Sequence, residues 1–98
     1  MANKQLEKEE IIAKLKQNIE VIRKFSVKKL GLFGSFSRGE QKKDSDLDFL
    51  VEFENTTFDN YMDLKFFLEN LFGKKIDLVI QRSLRKEFDY VKKEALYV

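Results

Sequence analysis

The tightest constraint on this chain is the stretch Gly31 to Val51, GLFGSFSRGEQKKDSDLDFLV. An apolar run breaks at Gly34-Ser35 and, ten residues later, Asp46-Leu47-Asp48 opens a second apolar run. The pattern reads as strand, glycine turn, short helix, polar loop and strand. So sharp a turn from strand to helix leaves backbone N–H groups at Gly34 and Ser35 able to meet a triphosphate. Side chains alternate across a strand, so Asp46 and Asp48 share one face while Leu47, Phe49 and Val51 take the other. One face is suited to a metal ion and the other to a core. A phosphate cradle followed by paired carboxylates points to nucleotidyl transfer.

The flanking sequence supplies elements to carry that stretch. From Leu6 to Phe25, Ile12, Leu15, Ile19 and Ile22 recur at helical steps among Lys, Glu and Gln, which predicts an amphipathic helix. Strands are expected at Val27 to Phe33 and Leu47 to Phe53, the second entered through the turn-forming Lys43-Asp44-Ser45. A long helix is expected over Phe58 to Phe72, closed by Gly73. It gathers Tyr61, Leu64, Phe67, Leu68, Leu71 and Phe72 on one side and turns Phe66 toward the exposed edge. A third strand follows over Lys75 to Ile80. Ser83 is the expected N-cap of a last helix whose Leu84, Phe88, Val91 and Ala95 share a face, with Tyr90 and Tyr97 off that stripe as a candidate partner surface. The order αβ(α)βαβα describes an α+β fold with a small mixed sheet. No repeat or linker interrupts it, so residues 1–98 read as a single domain.

Composition narrows the chemistry by exclusion. With His 0 and Cys 0, the chain has no Ser-His-Asp triad, Cys nucleophile or His/Cys zinc site. Carboxylates, Lys and Arg remain, and hard oxygen ligands favour Mg²⁺ or Mn²⁺. The net charge of +2 gives little steering toward nucleic acid, so no direct nucleic-acid binding is expected. The polar start MANKQLEKEE lacks the apolar core of a signal peptide, and no stretch is long enough to span a bilayer, so no membrane role and a cytoplasmic location are expected.

In the third strand Asp77 lies on the face opposite Ile76, Leu78 and Ile80. If that strand neighbours the second, Asp77 sits beside Asp46 and Asp48, and three carboxylates converge. Such a trio can fix divalent ions that activate an incoming hydroxyl and stabilise leaving pyrophosphate.

The run Gly34-Ser35-Phe36-Ser37-Arg38-Gly39, then Ser45-Asp46-Leu47-Asp48-Phe49-Leu50-Val51, closely resembles the signature of the minimal nucleotidyltransferases of the polymerase-beta superfamily. Lys75-Ile76-Asp77-Leu78-Val79 is similar to that family's third-carboxylate strand, and Lys93 to Val98 to its usual ending. The resemblance covers nearly the whole chain. It implies a polymerase-beta-like nucleotidyltransferase fold with helices packed mainly on one face. It further implies an antitoxin that transfers AMP from ATP, with Mg²⁺ or Mn²⁺, to a tyrosine of a HEPN-domain ribonuclease toxin, in a hetero-oligomer. By the same resemblance Gly34 and Ser35 bind the nucleotide phosphates, Asp46 and Asp48 hold the metals, and Asp77 holds the one nearest the acceptor hydroxyl; Arg38, beside the turn, is a further candidate for the phosphates. The alternatives are a binding-only antitoxin that covers its toxin, and a transferase acting on a small molecule or RNA.

Plainer structural readings stand beside these. Gly34-Ser35 also suits a tight turn, Asp46 and Asp48 a solvated strand face, and Asp77 a sheet edge. Arg38 suits either a phosphate contact or a surface cap on the short helix, whereas Lys42, Lys43, Lys74 and Lys75 read as solvated loop charges.

Overall fold

The computed structural model describes residues 6–42 and 44–98, so the start of the chain and Lys43 lie outside the described residues. The polar opening therefore enters only from Leu6, and the turn expected at Lys43-Asp44-Ser45 only from Asp44.

The helix expected over Leu6 to Phe25 forms as two pieces, α1 Lys8–Gln17 and α2 Ile19–Arg23. They part at Asn18, where φ is -111° and ψ 17° and the side-chain amide donates to the Lys14 carbonyl at 2.8 Å. An Asn that bonds its own preceding turn offers the backbone an alternative to helix. The break shifts the buried stripe: Ile11, Leu15 and Ile22 are fully buried, while Ile12 and Ile19 are only partly so.

β1 Val27–Phe33, β2 Leu47–Phe53 and α4 Phe58–Phe72 follow with the expected bounds, and the short helix expected after the glycine turn is the one-turn α3 Ser35–Arg38. Thr57 caps α4 by accepting from the Asn60 N–H at 3.0 Å, and Gly73 ends it at a left-handed φ of 63°. β3 spans Ile76–Ile80, and the Lys75 carbonyl extends its ladder by accepting from the Leu47 N–H at 3.1 Å.

The end of the chain departs from the expectation. In place of one helix from Ser83 there are single 3-10 turns at Gln81–Ser83 and Lys86–Phe88, then α5 Tyr90–Glu94 and a two-residue strand, β4 Leu96–Tyr97. Val91 and Ala95 are buried as their stripe requires, but Phe88 is exposed because its segment is not in register with α5.

The four strands form one mixed sheet in the order β3-β2-β1-β4. β1 runs antiparallel to β2 and β4, and β2 runs parallel to β3. One sheet face carries Leu47, Phe49, Val51, Ile76 and Leu78 against α1, α2 and α4, in a cluster that also takes Phe36 from α3. The opposite face is not bare. There Leu50, with Phe33 and Val79 beside it, packs under Leu84, Val91 and Ala95 of the C-terminal segment. The sheet is thus a two-faced layer with a second, smaller core on the side where Asp48 and Asp77 point. No helix among the described residues is long and apolar enough to cross a membrane.

Leu50 is fully buried at the centre of that second cluster. Leu50→Ala is expected to cost about 2–4 kcal/mol, read by urea denaturation. A loss under about 0.5 kcal/mol would show that the C-terminal segment is not part of the cooperative core.

Candidate active site

The turn after β1 is held against a carboxylate. Phe33, the last residue of β1, is the register partner of Asp48. Gly34 then takes φ 77°, where a side chain is strained, and a Cβ there would strike the Asp48 Oδ2 and lie 3.0 Å from its Cγ. Only glycine lets this turn close on Asp48. The Gly34 carbonyl accepts from the Ser37 N–H at 3.1 Å and the Ser37 hydroxyl at 2.9 Å, and fully buried Phe36 anchors α3 in the main core. No side chain caps the start of α3, so its first backbone N–H groups at Ser35 and Phe36 remain available to an anion.

On the far side of Asp48, the parallel register sets Asp77 directly opposite it. The two carboxyls lie close enough for each to feel the other's charge. Burial, then the charges of Asp77 and Asp46, push the Asp48 carboxyl up from 3.8 to about 6, while the Arg38 guanidinium works weakly the other way. Asp77 is exposed, and Asp46 is exposed just ahead of β2, near enough to Asp48 for its charge to be felt. The structure therefore brings Asp48, Asp77 and Gly34 together, with Ser35 next in line and Asp46 at the rim.

Arg38 has a different set of partners. Its Nε donates to Glu40 at 2.8 Å and its Nη1 to Glu94 at 2.7 Å, ties that raise its already high pKa. The guanidinium joins α3 to α5 and still has N–H donors to spare. Glu94 had no signal in the sequence, being 56 positions away. Tyr61 is a residue that pattern reading assigned to the core alone. Its phenol donates to the Leu78 carbonyl of β3 at 2.7 Å and is held above its ordinary pKa by burial and by the charge of Asp77.

The donor set suits a hard divalent cation. Asp48 and Asp77 crowd like charges side by side, Asp46 adds a third, and no ion pair among the described residues reaches any of them. Among the described residues no group of three or more acidic side chains is already gathered as a metal-holding cluster. The adjacent pair is the nucleus of such a site, and Asp46 is the neighbour that would complete it.

Comparison with known proteins identifies the family. Residues 8–97 match the family described as nucleotidyltransferase domain. The protein adenylyltransferase MntA of Thermococcus cleftensis is 41% identical over 81 residues, covering 81% of this chain and 82% of that one. A solved chain assigned as a minimal nucleotidyltransferase superposes with a TM-score of 0.82 at 32% identity, over 96% of this chain and 98% of that one. A toxin-antitoxin crystallised with AMP-PNP gives a TM-score of 0.56 at 30% identity, over 82% of this chain and 61% of that one.

The crowding at Asp48 makes the fold pH-sensitive in a definite direction. A carboxyl raised from 3.8 to about 6 on folding contributes stability that is fully present below pH 3.8 and is lost as pH rises through 6. Asp48→Asn removes the charge and with it that loss. In chelator, the variant should be more stable than wild type at pH 7.5 by roughly 1 kcal/mol, a figure reduced for the carboxyl's solvent exposure. The advantage should shrink toward pH 4 in denaturant titrations, and an equal gap at both pH values would contradict the assignment.

Proposed function

Since this chain belongs to the nucleotidyltransferase domain family, and is on that ground a nucleotidyltransferase, we propose that it moves AMP from ATP onto a tyrosine of a HEPN-family ribonuclease toxin and so serves as its antitoxin. The adenylyl donor is supported by likeness to a protein adenylyltransferase, and the toxin by likeness to a toxin-antitoxin solved with AMP-PNP. The observation that carries the reading is the placement of Asp77 directly opposite Asp48, with the Gly34 turn closed on Asp48 from the other side.

In this reading Asp46, Asp48 and Asp77 would hold a magnesium or manganese ion. When bound, the ion supplies charge neutralisation at the phosphates and acidifies the acceptor hydroxyl. The chain's own groups do the rest. Gly34 and Ser35 receive the triphosphate on backbone N–H groups, which restrains the pyrophosphate end. The acceptor oxygen bonds to the α-phosphorus while the bond from that phosphorus to the bridging oxygen breaks and pyrophosphate leaves. The hydroxyl proton passes to the Asp48–Asp77 carboxyl pair on its Asp77 side, the side nearer the acceptor. Arg38, fixed by Glu40 and Glu94, offers its remaining N–H donors to phosphate.

Catalytic neutralisation differs from covering in its stoichiometry. A substoichiometric amount of this protein with ATP and Mg²⁺ should inactivate an excess of toxin, which should stay inactive after separation and carry the mass of AMP on a tyrosine. The Asp46→Asn, Asp48→Asn variant should lose at least about a hundredfold in transfer rate. Unmodified toxin neutralised equally by both proteins would make this a binding-only antitoxin. Asp77→Asn should lose transfer rate by roughly tenfold or more while keeping most of its ATP affinity. Equal loss of both, by single-turnover kinetics and calorimetry, would remove Asp77 from the acceptor side.

A further inference from the structure

We propose that the outer edge of β3 is the acceptor dock: a protein acceptor lies along it as an added strand, its tyrosine toward Asp77 and an adjacent bulky apolar residue in the cleft between β3 and the start of α4. The proposal rests on the adenylyl-transfer reading and adds to it the place and chemical class of the acceptor segment.

The direction of attack follows from strand order. β1, β2 and β3 lie side by side, so Gly34 after β1, Asp48 on β2 and Asp77 on β3 form a line across the sheet. In an in-line displacement the attacking oxygen enters opposite the leaving group. With pyrophosphate held at the Gly34 end, the acceptor approaches from beyond Asp77. Beyond Asp77 is the free side of β3, which has β2 on one side and no strand on the other among the described residues. The opposite edge of the sheet is taken by β4.

What lies along that free side is a cleft of about 530 Å³ lined by Thr56, Phe58, Tyr61, Leu78, Ile80 and Ser83, among others. In a chain with 37% charged residues, none of the described residues lining it is charged. A triphosphate or an acidic segment has no counter-charge there, whereas an uncharged apolar side chain has a fitting wall. Phe58 is 77% exposed at the rim, the most exposed of the large hydrophobic residues described. Tyr61 forms the inner wall, its hydroxyl bonded at 2.7 Å to the carbonyl of Leu78, the residue next to Asp77 on β3. It uses one lone pair of the Leu78 carbonyl and leaves the other.

Alternation along a strand then sets the acceptor's sequence. Asp77 points to one face of β3 while Leu78 is in the main core on the other, beside the cleft. Neighbouring residues of an added strand likewise point to opposite faces, as in other recognition by strand addition. A tyrosine presented to Asp77 therefore has its adjacent residue in the cleft. The tyrosyl oxygen gains the bond to α-phosphorus, pyrophosphate departs with the broken bond's electron pair, and the phenolic proton goes to the carboxyl pair.

Short synthetic peptides test this directly: one with tyrosine between leucines, one with tyrosine between serines, each with ATP and Mg²⁺. The leucine-flanked peptide should be adenylylated at least tenfold more efficiently, and it should slow amide exchange along Ile76–Ile80 in wild type and in the Asp46→Asn, Asp48→Asn variant alike. Phe58→Ala should raise the KM for that peptide about tenfold and leave the Kd for ATP within twofold. Transfer without flank preference or β3 protection would overturn the dock and leave adenylyl transfer standing. β3 protection with no AMP transferred would uphold the dock and overturn the transfer reading. A comparable loss of ATP affinity in Phe58→Ala would assign the cleft to the adenine base and overturn the dock.

Discussion

Two like charges side by side, Asp48 and Asp77 on parallel strands, are the feature around which the molecule is arranged. Left to themselves they oppose folding, since burial and mutual repulsion disfavour the charged form of Asp48. They persist because the other face of the same strand is among the most buried parts of the protein. Leu47, Phe49 and Val51 are fully buried on either side of Asp48 in sequence, so β2 cannot rotate or slip its carboxylate outward without exposing them. The glycine turn adds a second restraint by packing on Asp48 itself. Stability supplied by one face of β2 holds in place an arrangement that the other face would not choose.

The parts of this layout that were legible in the sequence are those written in local pattern. Gly34 and Gly73 mark chain reversals that need positive φ, and β2 and α4 have the bounds that alternation and helical spacing give them. Strand parity placed Asp48 and Asp77 on the same side of the sheet once β2 and β3 were neighbours. Asn18 misled because Ile12, Leu15, Ile19 and Ile22 keep helical spacing across it, and periodicity does not register a side chain that competes for backbone bonds. The end of the chain was illegible for another reason. Two residues are too few for a strand signal, and β4 exists because β1 has a free edge and because Tyr97 packs over Gly31, where a Cβ would lie 2.9 Å from its ring. The Arg38–Glu94 pair likewise depends on α5 reaching the sheet face, which no local spacing encodes.

The C-terminal segment also gives the site its asymmetry. By covering Leu50 and Val79 with Val91 and Ala95, it closes part of the face that bears Asp48 and Asp77, and β4 closes the β1 side of the sheet. The β3 side stays open. A reaction that needs one end of its substrate held and the other end approachable is served by a sheet closed on one flank only, and the open flank is the one beside Asp77.

Arg38 completes the electrostatic logic. It follows the glycine turn and stands near enough to Asp48 to be felt there, yet its two strongest contacts are the carboxylates of Glu40 and Glu94. A cation already matched by two anions does little to relieve a third and fourth, so the repulsion between Asp48 and Asp77 survives beside it. That residual negative charge disfavours a bare polyphosphate and favours one that arrives with its own divalent ion. On the proposed reading the same repulsion that weakens the fold therefore selects the metal-nucleotide complex, so substrate choice and pH-dependent stability share one origin in the Asp48–Asp77 pair.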